Sequence, residues 1–240
     1  MERKAVIIGA TSGIGRALAE ELHSRGYALG LTGRRVERLE ELKNSLGKNV
    51  KIQFMDVTKT RDAIDQLEML IRELKHMDII VLNAGVSNFR GSTMWKTEKR
   101  VIDVNIRGFT ALANYSFDYF EKKGNGHIVG ISSVAGHFGY GLSAAYNASK
   151  AFVSTYLQGY RQRANHSKAD IAVTDIIPGF VESEMTDGKP GMFWVAGKDK
   201  AARQIANAIE SRKNRAYITK RWWLVGWVLK LVPNWVLDRI

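Results

Sequence analysis

The chain has 240 residues, 45% of them hydrophobic, and a formal net charge of +12; that length closes one substantial core, and no repeat or low-complexity tract marks a second domain. With no cysteine, disulfides, thiolate nucleophiles and Cys-based zinc sites are excluded, and the five histidines lack metal-ligand spacing, so no metal site is expected. The positive balance fits an anionic cofactor or a negatively charged membrane surface, whereas the dispersal of Lys and Arg, with no accompanying recognition signature, argues against nucleic acid.

The opening Met1-Glu2-Arg3-Lys4 runs into an apolar stretch too short for a secretory signal, so the chain reads as cytoplasmic. Short apolar runs at Ala5 to Ile8, Ala28 to Thr32, Val50 to Met55, Asp78 to Leu82, His127 to Ser132 and Ile171 to Ile177 predict buried strands. Between them, helical spacing of apolar residues predicts helices over Ile14 to Arg25, Val36 to Leu46, Arg61 to Lys75, Glu98 to Lys122 and Ala144 to Asn165. This alternation predicts an α/β fold, a doubly wound parallel sheet with helices on both faces. Ligands of such sheets bind beyond the strand carboxyl ends, where strand order reverses.

After the first strand comes Gly9-Ala10-Thr11-Ser12-Gly13-Ile14-Gly15, opening a helix. Glycines allow a sharp turn and close approach of a pyrophosphate, and the helix start offers unpaired N–H groups to it. The Gly-x-x-x-Gly-x-Gly spacing resembles that of the short-chain dehydrogenase/reductase family, although Ile8 stands where that family usually has Thr. The resemblance extends to Asp56-Val57 at the third strand's end, the Asn83-Ala84-Gly85 turn after the fourth, and Val104-Asn105 on a helix. It continues through Ser133 with Tyr146-x-x-x-Lys150 and Pro178-Gly179-Phe180-Val181-Glu182-Ser183, where Ser183 replaces the usual Thr.

Residue by residue, the resemblance implies a single-domain, Rossmann-like NAD(P)-dependent oxidoreductase interconverting a carbonyl and an alcohol. Gly9, Thr11, Ser12, Gly13, Ile14 and Gly15 would hold the pyrophosphate, Asp56 and Val57 the adenine, and Pro178, Gly179, Val181 and Ser183 the nicotinamide amide. Asn83, Ala84 and Gly85 would run along the cofactor. Tyr146 would be general acid or base, Lys150 would lower its pKa and hold the nicotinamide ribose, and Ser133 would orient the substrate oxygen. Asn105 would belong to a water-linked proton path, or pack structurally. The family's usual assembly is a homodimer or homotetramer.

Two sequence features refine this. Leu31-Thr32-Gly33-Arg34-Arg35 carries no carboxylate where NAD-binding folds place one, and Arg34, with Arg35, is suited to a 2′-phosphate, so NADP(H) is expected over NAD(H). Phe89, His137, Phe138, Phe180 and Trp194 suggest an apolar substrate, and Met185, Met192, Phe193 and Trp194 around Gly188, Pro190 and Gly191 suggest either a mobile flap over it or a loop packing its own hydrophobes.

The main domain is expected over residues 1–219, with an apolar tail over 220–240. Its run from Trp222 to Leu237, interrupted by Lys230 and Pro233, is too short to span a bilayer. Either it walls the pocket or meets another subunit, or it makes peripheral contact with lipid beside Arg212, Lys213, Arg215, Lys220 and Arg221. A rival of another class is a non-catalytic dinucleotide-binding sensor or scaffold, since a fold alone does not fix function.

Overall fold

In the computed structural model, residues 2–87, 94–186, 192–233 and 235 are described. Seven strands form one parallel sheet in the order β3-β2-β1-β4-β5-β6-β7. They are β1 (Lys4–Ile8), β2 (Ala28–Gly33), β3 (Val50–Phe54), β4 (Ile79–Leu82), β5 (Asn125–Ile131), β6 (Asp170–Pro178) and β7 (Arg215–Ile218). Among the described residues, eight α-helices connect or follow them: α1 (Gly13–Ser24), α2 (Val36–Leu46), α3 (Thr60–Leu74), α4 (Trp95–Ile102), α5 (Phe109–Lys123), α6 (Ala144–His166), α7 (Lys198–Glu210) and α8 (Trp222–Leu231).

Alternation along each strand divides the core. Ala5 and Ile7 of β1 pack with Leu18, Leu22, Leu39, Ile205 and Ile209 on one face, while Val6 and Ile8 pack with Leu67, Phe117, Val153 and Leu157 on the other. Both faces are covered, as a parallel sheet requires. Strand order reverses between β1 and β4, which run side by side in register from Ala5 with Ile79 to Ile8 with Leu82.

The six strands and four of the five helices expected from the sequence are present. The stretch Glu98 to Lys122, expected as one helix, is instead α4, a π-helical turn over Asp103–Gly108, and α5. Gly108 explains the close packing there: a Cβ on it would come within 2.6 Å of the Val57 carbonyl oxygen. Three elements lie beyond those expected, α7, β7 and α8. The buried face of α7 consists largely of Ala201, Ala202, Ala206 and Ala208, and alanine gives little contrast against polar neighbours.

His127 of β5 is buried, its Nε2 2.7 Å from Thr174 Oγ1, and burial pushes its pKa down to about 4. Below about pH 6.5 the unfolded chain takes up a proton that the folded chain refuses until about pH 4. Stability therefore falls as pH drops through that window, by roughly 3 kcal/mol in all. Urea titrations from pH 7 to 4 are expected to show this loss, and His127→Gln to remove its pH dependence.

Candidate active site

A cavity of about 1680 Å³ opens along the carboxyl edge of the sheet, at the β1/β4 reversal. Its floor begins at the turn after β1. Gly9 has φ +87° and Gly13 φ +54°, left-handed conformations that favour glycine. A Cβ on Gly9 would lie 2.9 Å from Ala84 Cα, and one on Gly15 would lie 2.2 Å from the Gly9 carbonyl oxygen and 2.5 Å from Asn83 Nδ2. Asn83 Nδ2 donates to that same Gly9 oxygen at 2.6 Å, tying the turn after β4 to the turn after β1. The first turn of α1 faces the cavity through Gly13 and Ile14.

Arg35, beyond β2, leans across this turn. Its Nη2 donates to Thr11 Oγ1 at 2.9 Å and Ser12 Oγ at 2.8 Å, and its Nη1 pairs with Glu184 at 2.8 Å. Arg38 pairs with the other oxygen of Glu184, and the two guanidinium groups hold that carboxyl below the usual range. Arg34 is exposed and lines the cavity with Asp56 and Val57. Asp56 accepts from the Thr58 backbone N–H at 3.1 Å and hydroxyl at 2.9 Å, which fixes the bend after β3.

At the far end, Ser133 after β5 meets Tyr146 and Lys150 of α6. Ser133 hydrogen-bonds the phenol, and its hydroxyl accepts from the Ala135 N–H at 3.2 Å. Lys150 Nζ lies 5.8 Å from the Tyr146 ring centroid and donates to the Ile131 carbonyl at 2.8 Å. Both groups are buried. Burial pushes the phenol up to about 12, with only the Ser133 hydrogen bond opposing it. Burial likewise pushes Lys150 down to about 8, partly offset by Asp175. The sequence suggests a phenol acidified by the ammonium; here desolvation outweighs any such effect, because Lys150 is directed at a backbone carbonyl.

Asn105 lies in the π-helical turn with its amide fully engaged. Its Oδ1 accepts from the Val86 N–H at 2.8 Å, and its Nδ2 donates to the Val86 carbonyl and to Ser149 Oγ, each at 2.9 Å. Among the described residues, Asn105, Gly15, His137 and Trp194 stand behind or beside the cavity wall; the other expected site residues line it, apart from Phe89, which lies outside the described residues. His137 is 3.2 Å from the Tyr217 hydroxyl, and Trp194 packs on Phe193 and Trp222. Phe138 and Phe180 line the cavity with Leu142, Met192, Phe193 and Trp222.

The sequence reading passes over Asp175 and Glu184, and it leaves Trp222 open between walling the pocket, where it stands, and other partners. Asp175, wholly buried in β6, accepts from Ser132 Oγ at 2.5 Å and Ser154 Oγ at 2.7 Å; a lone carboxylate within the apolar run Ile171 to Ile177 is its signal. Trp222 covers Gly179 so closely that a Cβ there would meet its indole at 2.1 Å. Glu184 carries no local signal, since its partners lie about 150 residues earlier in the chain.

Residues 3–191 match the family model described as short chain dehydrogenase. The chain is also 36% identical over 189 residues to an uncharacterized oxidoreductase of Myxococcus xanthus, covering 77% of this chain and 74% of that protein. The chain belongs to the short-chain dehydrogenase/reductase family. The fold of this short-chain dehydrogenase is similar to that of a Sphingobium yanoikuyae short-chain dehydrogenase solved in complex with NADPH, with a TM-score of 0.81, 26% identity and 93% and 92% of the two chains covered. It is similar also to a short-chain dehydrogenase/reductase from Burkholderia phymatum solved in complex with NAD, with a TM-score of 0.85, 21% identity and 94% and 92% covered. The enzyme is an oxidoreductase of CH–OH and C=O groups that uses a nicotinamide dinucleotide.

The dehydrogenase's glycine turn fits that cofactor, since an added Cβ at Gly9 or Gly15 would collide with backbone atoms and disturb the cradle at the helix start. Gly15→Ala is expected to cost about 1–3 kcal/mol of stability from overpacking. Thermal melts should show this together with a lost shift on adding dinucleotide, whereas an unchanged melt and retained binding would contradict the close packing.

Proposed function

We propose that this enzyme is an NADP(H)-dependent oxidoreductase that interconverts an apolar ketone or aldehyde with its alcohol, using Tyr146 as general acid or base. The supporting observation is the convergence of Ser133, Tyr146 and Lys150 at one end of a cavity whose other end is the glycine turn. The dinucleotide, when bound, supplies the hydride. Gly9 and Thr11 to Gly15 would hold its pyrophosphate, Asp56 and Val57 its adenine, Asn83 to Gly85 its flank, and Pro178, Gly179, Val181 and Ser183 its carboxamide.

A phenol pushed up to about 12 is protonated at neutral pH, the form able to hand a proton to a carbonyl oxygen gaining charge. Ser133 steadies that oxygen beside it. Lys150, at about 8, is still mainly ammonium at pH 7; it favours the phenolate left behind and would hold the ribose hydroxyls of the bound dinucleotide. Asn105 acts as a positioning residue, tying Val86 to Ser149 on the helix that carries Tyr146 and Lys150. Val134, Phe138, Phe180 and Phe193 around the remaining space favour an apolar substrate. The working form is a homodimer or homotetramer, as the family resemblance implies.

Purified protein is expected to oxidise NADPH in the presence of some member of a panel of aldehydes, ketones and quinones. Tyr146→Phe should abolish that turnover while binding NADPH with nearly unchanged affinity. Substantial activity remaining in the variant would overturn the assignment of the proton to this phenol.

The preference for NADP(H) rests on the arginines after β2. Arg35 is held over the turn hydroxyls, and Glu184 occupies both Arg35 and Arg38 as an internal anion. A dianionic phosphate forks onto guanidinium groups more strongly than a carboxylate and displaces Glu184 from them. Removing that competitor by Glu184→Gln should tighten NADPH binding about two- to fivefold, the range for exposed ion pairs, and leave NADH unchanged. Fluorescence titration of both cofactors measures this; equal tightening for NADH would remove the competition argument.

A further inference from the structure

Apart from Lys230, the helix α8 consists of apolar residues and one glycine. Residues 222–231 read Trp-Trp-Leu-Val-Gly-Trp-Val-Leu-Lys-Leu. Trp222 and Gly226 turn inward: Trp222 packs on Phe180 at 5.6 Å between ring centroids, and Gly226 lies against His137 and Tyr217. On the opposite side Trp223, Leu224, Trp227, Val228 and Leu231 are 50–66% exposed, and Trp235 beyond the helix is 64% exposed. A helix apolar on two opposite sides belongs where both leave water, and a contiguous apolar patch marks a partner surface.

Charge selects the partner. From residue 211 to residue 237 the chain carries Arg212, Lys213, Arg215, Lys220, Arg221 and Lys230 and no Asp or Glu. Arg212 and Arg215 are paired with Asp170 and Asp175, whereas Lys220 and Arg221 are exposed at the start of α8, with Arg221 5.1 Å over the Trp194 ring. A second copy laid against the same face in two-fold fashion would bring these cations together without an anion between them. An anionic bilayer supplies the missing charge, and Trp residues favour its interface. No helix among the described residues is long and apolar enough to cross a membrane, so the contact is peripheral.

We propose that the outer face of α8 lies in the headgroup boundary of an anionic membrane, and that the pocket walled by its inner face takes lipophilic carbonyls or alcohols from that membrane. The second clause rests on the function proposed above. The pocket and the docking face share one helix, since Trp222 and Val225 line the cavity. Leu142 and Phe193 also line it while being 54% and 51% exposed, which gives the mouth an apolar rim.

Co-sedimentation of the full chain with phosphatidylcholine vesicles, with and without phosphatidylserine, tests docking. Wild type is expected to follow the anionic vesicles, Lys213→Ser with Lys220→Ser to weaken partitioning about fivefold per charge removed, and Trp223→Ser with Trp227→Ser to weaken it further. All these proteins should reduce a water-soluble aldehyde equally well without vesicles, which reports intact folding; failure of wild type in that assay alone would sink the catalytic reading and leave docking standing. Anionic vesicles should lower KM for a long-chain ketone in wild type and not in the tryptophan variant; no difference would overturn delivery from the membrane. Absence of wild-type sedimentation, or sedimentation indifferent to both double variants, overturns docking. So does a vesicle-free oligomer that the tryptophan variant converts to monomer, because subunits would then cover the face.

Discussion

The hydrogen bond from the Asn83 amide to the Gly9 carbonyl holds the functional edge of this molecule together. Strands β1 and β4 lie side by side there, and their connections depart to opposite sides of the sheet, so a crevice opens at their carboxyl ends. Without a tie the two turns would be free to spread. The tie is possible only because neither Gly9 nor Gly15 carries a Cβ, and it turns the glycine segment into a rigid rim with the start of α1 behind it. Ser133 after β5 and Gly179 after β6 reach the same crevice because their strands continue the parallel register outward from β4.

Burial then sets the chemistry. Tyr146 and Lys150 are both withdrawn from water, and desolvation drives each toward its neutral form. Such a pair is costly to hold, and α6 is anchored accordingly. Ser143 donates to Asn147 Oδ1 at 2.7 Å, Asn147 Nδ2 donates to the Phe138 carbonyl at 3.0 Å, and Ser149 connects to Asn105. These bonds lock the residues on either side of Tyr146, so the phenol cannot escape to solvent by a small rotation of the helix. Asp175 acts on Lys150 from β6, and the Ser132 and Ser154 hydroxyls keep this buried carboxylate hydrogen-bonded.

Much of this is legible in the sequence because its signals are local. The glycine spacing, the Asn-Ala-Gly turn and the Tyr-x-x-x-Lys pair each lie within a few residues, and alternating strand and helix patterns fix where those segments meet. What escapes is relational. Glu184 has meaning only beside Arg35 and Arg38, and Trp222 only over Gly179, contacts that no spacing announces. The break between α4 and α5 escapes because residues 98–122 keep helical periodicity through Gly108, whose effect comes from Val57 on another connection. The direction of the Tyr146 shift escapes for a related reason: composition shows that an ammonium is near, but not that it donates to Ile131 or how deeply both groups are buried.

The residues after β6 connect the two ends of the cavity by anchors of different kinds. Glu184 fastens that segment to Arg35 and Arg38 beside the cofactor turn, through exposed ion pairs that salt and competing anions weaken. Phe193 and Trp194 fasten it to Trp222 of α8 through aromatic contacts at 5.1 Å and 5.9 Å, which salt leaves intact. Added salt therefore acts on one anchor only. The contacts of Phe193 and Trp194 with Trp222 do not depend on those ion pairs. The position of α8 in turn fixes that cluster, so one helix carries both a wall of the cavity, through Trp222 and Val225, and an exposed apolar face.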